Sequence, residues 1–335
     1  MKNATYLYFY SQNGEISPIL LTSIAHYSYF SNRYVLVTNI TKEKFPHIFR
    51  ERIEIIDIAD VETSETKSIS HEIMMMWDRN ILKANCPAVE LHCFKRWLIL
   101  RDLFEHNIFE KNCNIFAHDW DDLLFVPIST LISPIEAMFT SSLDINTSLF
   151  VSHTPNPVGQ YLIPHFLLCN YKAVEWFKDI MINLAKQYSI HHPTQNFPDM
   201  SVWAYMYHFS IAKNIGIAKL WSDVLPSDLF VDDNVRILKP EKTLFDHESV
   251  QIPPSFNYLD GDRDMLDIKK YTVEDDSNLY VTCSDGTMLK AINTHYSGVE
   301  GKYILMRDTR NKLQPFYKAR PELQGLMKSF IPDLN

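Results

Sequence analysis

Asn114-Ile115-Phe116-Ala117-His118-Asp119-Trp120-Asp121-Asp122-Leu123-Leu124-Phe125 is the stretch on which the fold reading turns. Its apolar run, Ile115 to Ala117, predicts a buried strand. Asp119, Asp121 and Asp122 end that strand abruptly. Acids at the carboxyl end of a central strand in an open α/β sheet lie where such sheets bind ligands. The carboxylates of Asp119 and Asp121 are hard oxygen donors of the kind that hold Mg²⁺ or Mn²⁺, with positions left open for phosphate oxygens. A solvated acidic turn closing a strand fits the same residues, because Asp-x-Asp alone is a weak pattern.

Upstream of the acids, Pro87-Ala88-Val89-Glu90 opens a helix with an apolar stripe of Leu91, Phe94, Trp97, Leu98, Leu100, Leu103 and Phe104. Arg96 lies between two core positions of that helix. It is either a snorkelling surface side chain or a cation facing the acids. Nearer the start, Thr5 to Tyr10 reads as a strand and Ser17-Pro18 as the cap and first residue of a helix to about Phe30. Arg33 to Thr38 is a second strand, Phe45 to Arg52 a short helix, and Ile53 to Asp57 a third strand. This β-α-β-α-β rhythm predicts a parallel sheet with helices on both faces. Residues 58 to 88 show less pattern, and Met74-Met75-Met76-Trp77 reads as core filler.

Downstream, Ser133-Pro134 predicts the start of a short helix and Ser148 to Ser152 a strand. His153 to Gln160 is a loop by composition. Tyr161 to Asn170 is apolar and extended, and Tyr171 to Tyr188 a helix. Asp199 is placed to cap a helix from Met200 to Ile211, and a carboxylate there could also grip hydroxyl groups. Residues 220 to 275 are poor in regular pattern. Leu279 to Thr282 and Met288 to Thr294 flank an Asp285-Gly286 turn, the best hairpin signal in the chain. Its second strand delivers His295-Tyr296-Ser297-Gly298-Val299-Glu300-Gly301-Lys302. A metal-binding histidine, phosphate-binding amides and a cation could act together there, and so could a plain loop with a surface lysine.

The chain has 335 residues and a net charge of −9, with no basic run, which disfavours nucleic acid as a partner. Its 8 glycines form neither G-x-G-x-x-G nor G-x-x-x-x-G-K-[ST], so a dinucleotide fingerprint and a P-loop are absent. Five cysteines without a C-x-x-C pair read as buried thiols in a reducing compartment. No stretch reads as a membrane span or signal peptide. The expectation is a cytoplasmic protein, with peripheral contact at the inner membrane face left open.

Taken together, Phe94-Lys95-Arg96-Trp97, the Asp-x-Asp strand, Pro198-Asp199-Met200 and His295-x-x-Gly298 with Lys302 resemble the GT-A class of nucleotide-sugar glycosyltransferases. The C-terminal piece is similar to the glycogenin and lipopolysaccharide galactosyltransferase type, His-Phe-x-Gly-x-x-Lys, with one extra residue before Lys302. The resemblance covers scattered motifs over roughly residues 4 to 306. It implies an α/β GT-A (Rossmann-like) fold: a central, mostly parallel sheet flanked by helices, with a small C-terminal hairpin and helical extension. It also implies one catalytic domain over residues 1–310, divided into a nucleotide-binding half (1–125) and a sugar half (126–310), followed by an extension (311–335).

By the same resemblance, Asp119, Asp121 and His295 would hold Mn²⁺ or Mg²⁺ against the diphosphate of a UDP-sugar. Arg96 would contact the donor, and Gly298 and Lys302 the departing diphosphate. Tyr10, Ser11, Gln12, Thr38 and Asn39 would lie near the nucleoside. Asp199 would face the donor sugar or serve as base, with Gln160 and Asn156 as further hydroxyl-gripping groups. The acceptor would be a glycan or lipid-linked hydroxyl, in a setting such as bacterial surface polysaccharide synthesis. Two other readings stay open: a non-catalytic glycan- or nucleotide-binding protein on the same fold, and a metal-dependent phosphohydrolase.

Overall fold

The computed structural model describes residues 2–82, 84, 86–139, 147–152, 162, 164–191, 196–224, 229–231, 270–273, 278–282, 288–295, 305–307, 309–311 and 313–334. Through the first half the elements are β1 (Lys2–Phe9), α1 (Pro18–Phe30), β2 (Tyr34–Thr38), α2 (His47–Arg52), β3 (Glu54–Asp57), α3 (Ile58–Val61), α4 (Ser64–Asp78), α5 (Pro87–Glu105) and β4 (Cys113–His118). They continue as β5 (Asp122–Leu124), α6 (Ile128–Phe139), β6 (Leu149–Ser152), β7 (Phe166–Asn170), α7 (Tyr171–His191), α8 (Asp199–Lys213), β8 (Ile217–Leu220) and α9 (Trp221–Val224). Last come β9 (Leu229–Val231), β10 (Lys270–Val273), β11 (Leu279–Thr282), β12 (Met288–His295), α10 (Gln314–Lys318) and α11 (Pro321–Lys328).

Seven strands form the main sheet in the order β3-β2-β1-β4-β7-β6-β8. β7 is antiparallel to both its neighbours, and every other pair is parallel. The expected α/β architecture, a mostly parallel sheet flanked by helices, is the one found. Alternation along the strands decides which face each side chain joins. Leu7, Tyr34 and Leu36 bury against α1 and the C-terminal helices. Tyr6, Tyr8, Val35 and Val37 bury against α5, which is joined in that core by Phe177 of α7 and Trp203 of α8. The chain order reverses direction between β1 and β4, so the carboxyl ends of these two strands flank the switch point where open sheets bind ligands.

A second sheet, β10-β11-β12-β5 with β9 beside β12, packs at this end. The expected hairpin is present as the antiparallel pair β11–β12, and its turn, residues 283–287, lies outside the described residues. Much of the pattern-poor stretch 220–275 also lies outside them.

Three local readings are corrected. Residues 58 to 88 are mostly helical: α3 is capped by Asp57 and α4 by Thr63. The buried residues of α4 are Thr66, Ser70, Ile73, Met76 and Trp77, so two of its five core positions are hydroxyl side chains and the apolar period is masked. The helix expected to start at Ser133-Pro134 begins at Ile128 and carries Pro134 in its interior. Ile128, Leu131 and Ile135 bury at helical spacing across that point, so packing holds the helix together where proline alone would end it. Asp199 does not cap α8: the cap position is Pro198, without a side-chain bond, and Asp199 is the first helical residue.

The C-terminal helices share the core under α1. His26 of α1 is fully buried, with Nδ1 2.8 Å from the Leu124 carbonyl oxygen and Nε2 2.9 Å from the Tyr317 hydroxyl. A carbonyl only accepts, so Nδ1 carries the proton and Nε2 accepts from Tyr317. Burial, only partly opposed by the Leu124 bond, pushes the His26 pKa down to about 4. The unfolded chain therefore binds a proton that the folded one refuses, and stability falls as pH drops from the ordinary histidine value near 6.5 towards 4. Between pH 7 and pH 5 the His26 share is about 2 kcal/mol. Urea unfolding at the two pH values should show a correspondingly shallower pH dependence in His26→Phe than in the native protein.

Candidate functional site

β4 leaves the main sheet at His118, and the chain enters the second sheet at Asp122. The link is a tight turn closed by the Asp122 N–H donating to the Asp119 carbonyl oxygen at 3.2 Å. Asp119 and Asp121 therefore sit where the two sheets meet, at the switch point. β1 ends alongside, with Phe9 packed on Trp120 at 5.3 Å between ring centroids.

The three acids have different surroundings. Asp122 is completely buried and accepts from the Tyr27 hydroxyl at 2.6 Å and from Asn293 Nδ2 at 3.1 and 3.2 Å. Burial first, then Asp122 itself, pushes the Tyr27 pKa far up, so the phenol stays a donor. Asp122 is thus a structural tie between α1, β5 and β12. Asp119 instead faces two cationic or polar side chains: Arg96 Nη1 donates to Oδ1, and His165 Nδ1 to Oδ2. Asp121 is buried beside them, with 5% of its surface exposed.

Arg96 is placed by α5. That helix lies across β1 so that His92 meets the Tyr8 hydroxyl at 2.8 Å and the Arg96 carbonyl accepts from the Tyr6 hydroxyl at 2.7 Å. The helix thus brings Arg96 to the acids rather than to solvent. Its Nη2 donates to Asp199 Oδ2 at 2.8 Å, an oxygen that also accepts from Trp97 Nε1 at 2.7 Å. Burial disfavours the guanidinium charge, but Asp199 and then Asp119 outweigh it and hold Arg96 more firmly protonated than a free arginine. Arg96 Nε is buried without a hydrogen-bond partner among the described residues.

His118 supports the turn from beneath. Its Nδ1 donates to the Asp119 carbonyl at 2.8 Å, its Nε2 lies 3.0 Å from the Tyr34 hydroxyl, and its ring stacks on Tyr27 at 3.5 Å. Burial pushes its pKa down to about 3, so it is a neutral strut.

Of the expected site residues, the fold brings Arg96, Asp119, Asp121 and Asp199 together. His295 pairs in register with Asp122 across β12 and β5, which sets its backbone beside the acid turn. Its side chain lies outside the described residues, as do Gly298 and Lys302, and also Asn156 and Gln160. Asn39 exchanges two hydrogen bonds with the backbone of Ser11, at 2.8 and 2.7 Å. Thr38 is fully buried, and its hydroxyl accepts from the Ile40 N–H at 3.2 Å. Ser11, Thr38 and Asn39 therefore shape the loop, whereas Tyr10 and Gln12 are exposed at its rim. Tyr10 stacks on His92 at 3.9 Å. His165, His92 and His118 had no reading from sequence. His165 reaches Asp119 only because β7 pairs antiparallel with β4, His118 opposite Phe166, and no local spacing encodes that register.

Among the described residues no group of three or more His, Cys, Asp or Glu forms a metal cluster. The donor set nonetheless fits a hard divalent cation: two carboxylates in one tight turn, and a histidine position in register beside it. A cleft of about 1240 Å³ lies elsewhere, at the amino ends of the strands near Asn3, Thr5 and Arg33. It does not reach the acids.

No protein-family model matches this chain, and no curated protein matches it. Solved structures similar to it include mouse xyloside xylosyltransferase 1 in its apo form, at 10% identity and a TM-score of 0.41, over 68% of this chain and 87% of that one. Another is the galactosyltransferase LgtC in complex with donor and acceptor sugar analogs, at 10% identity and 0.39, over 68% and 74%. A third is the mannosyltransferase Ktr4p from S. cerevisiae in complex with GDP, at 11% identity and 0.34, over 67% and 70%. No helix among the described residues is long and apolar enough to cross a membrane.

Proposed function

We propose that this chain is a metal-dependent glycosyltransferase that moves a sugar from a nucleotide-diphosphate donor, a UDP-sugar, to a hydroxyl of a glycan or lipid-linked acceptor. The observation that carries the reading is Arg96 bridging Asp119 and Asp199 at the switch point, with Asp121 buried alongside. An acidic chain can receive a diphosphate there only if cations offset the carboxylates. Asp119, Asp121 and His295 would hold Mn²⁺ or Mg²⁺, which would supply positive charge against a diphosphate.

The remaining roles belong to the chain's own groups. Arg96 stays charged and offers its Nε–H to a donor oxygen. Asp199 fixes Arg96 through Oδ2, and its Oδ1 is suited to accept a sugar hydroxyl. Lys302 and the amide of Gly298 steady the leaving diphosphate. The Tyr10 ring and Gln12 border the nucleoside, on a loop shaped by Ser11, Thr38 and Asn39.

Calorimetric titration of UDP, with and without Mn²⁺, tests this. Native protein is expected to bind UDP only with the metal, and Asp121→Ala to lose at least about 100-fold in affinity, roughly 2.7 kcal/mol. UDP binding indifferent to both metal and substitution would remove the Asp119/Asp121 assignment. Transfer itself is read by UDP release from UDP-sugars with hydroxyl acceptors. Tight metal-dependent binding without any release would favour a non-catalytic nucleotide-binding protein.

A further inference from the structure

We infer that His165 is a positioning residue for the metal site, holding the Asp119 carboxylate by its Oδ2 while Arg96 holds Oδ1. This rests on the reading of Asp119 as a metal ligand. His165 is tied to Asp119 twice. Its ring Nδ1 donates to the carboxylate, and its backbone carbonyl accepts from the Asp119 N–H at 2.9 Å. A carboxylate only accepts, so Nδ1 carries the hydrogen and a neutral imidazole is sufficient.

An ionised carboxylate has about four lone-pair sites, so taking bonds from Arg96 and His165 is compatible with metal ligation. The consequence is orientation. A side chain gripped at both oxygens cannot swing, and a metal then binds a carboxylate already turned to it. The anchor is itself rigid. His165 directly precedes β7, whose first residue, Phe166, accepts from Trp221 Nε1 at 2.9 Å. The His165 and Asp119 side chains are 21% and 18% exposed, so water competes weakly for the bond between them.

The test is Mn²⁺ binding, by calorimetry and by the electron paramagnetic resonance signal of free Mn²⁺, on native protein, His165→Ala and His165→Asn. Alanine should weaken Mn²⁺ by about 10- to 100-fold, the usual effect of removing a group that orients a ligand. Asparagine, whose Nδ2 can stand in for the ring Nδ1–H, should recover most of that loss. Thermal unfolding checks that the variants fold. Should His165→Ala not fold, His165→Phe, which keeps a ring without an N–H, replaces it with the same expectation. Native protein that binds Mn²⁺ and an alanine variant that binds it equally well would overturn the role of His165 alone. Alanine and asparagine variants equally weakened would also overturn it, because the ring would then matter for more than its hydrogen bond. Native protein that does not take up Mn²⁺ would remove the metal reading, and the inference with it.

Discussion

Arg96→Ala is expected to abolish metal-dependent UDP binding and to destabilise the fold by about 3–5 kcal/mol, the usual cost of breaking a buried ion pair from one side. Two carboxylates depend on this guanidinium. Asp199 keeps only 3% of its side-chain surface exposed and would retain Trp97 as a partner but no cation, and Asp119 would retain His165. Arg96→Lys should not restore binding. One ammonium on a flexible stem cannot reach Asp119 and Asp199 with the divergent N–H groups that the guanidinium supplies. Urea unfolding measures the first effect and calorimetry with UDP and Mn²⁺ the second. A variant as stable as the native protein would show that the bridge contributes no net stability. Native-like nucleotide binding in that variant would remove Arg96 from the site.

Asp122→Ala should have a comparable effect on stability for a different reason. The Tyr27 hydroxyl and the Asn293 amide both donate to this fully buried carboxylate, and alanine leaves them without it in a site closed to water. The expected loss is about 3–5 kcal/mol, well above that of an ordinary surface change. Asp122→Asn keeps the shape and one acceptor oxygen and should lose less. Asp121→Ala, one residue earlier, is expected to change nucleotide binding far more than unfolding. Denaturant melts of the three variants separate these cases. If Asp121→Ala and Asp122→Ala lost equal stability, the division between a functional and a structural acid would not stand.

That division was not legible in the letters. Asp119, Asp121 and Asp122 are the same residue type within four positions. Only the pairing of β5 with β12 and the packing of α1 turn Asp122 inward onto Tyr27 and Asn293. Asp199 shows the same gap. From local sequence it is a helix cap, but α5 brings Arg96 and Trp97 to it across about a hundred residues of chain, and charge-assisted bonds outweigh a cap. Ser11 and Asn39, which the resemblance set near the nucleoside, lie beyond the carboxyl ends of β1 and β2, and their polar atoms hold each other's loop.

What the sequence determined by itself were the features written at short range. The periods of β1, α1, β2, β3, α5 and β4, the Asp-Gly hairpin and the β-α-β order lead to a mostly parallel sheet with acids at its switch point, because hydrophobic period and turn chemistry act over a few residues. The tertiary structure alone decided which acid faces inward, that Arg96 turns towards Asp119 rather than to water, and that His165 stands beside it. Those outcomes depend on strand register and helix packing between residues 23 to 171 positions apart, where no local pattern carries information.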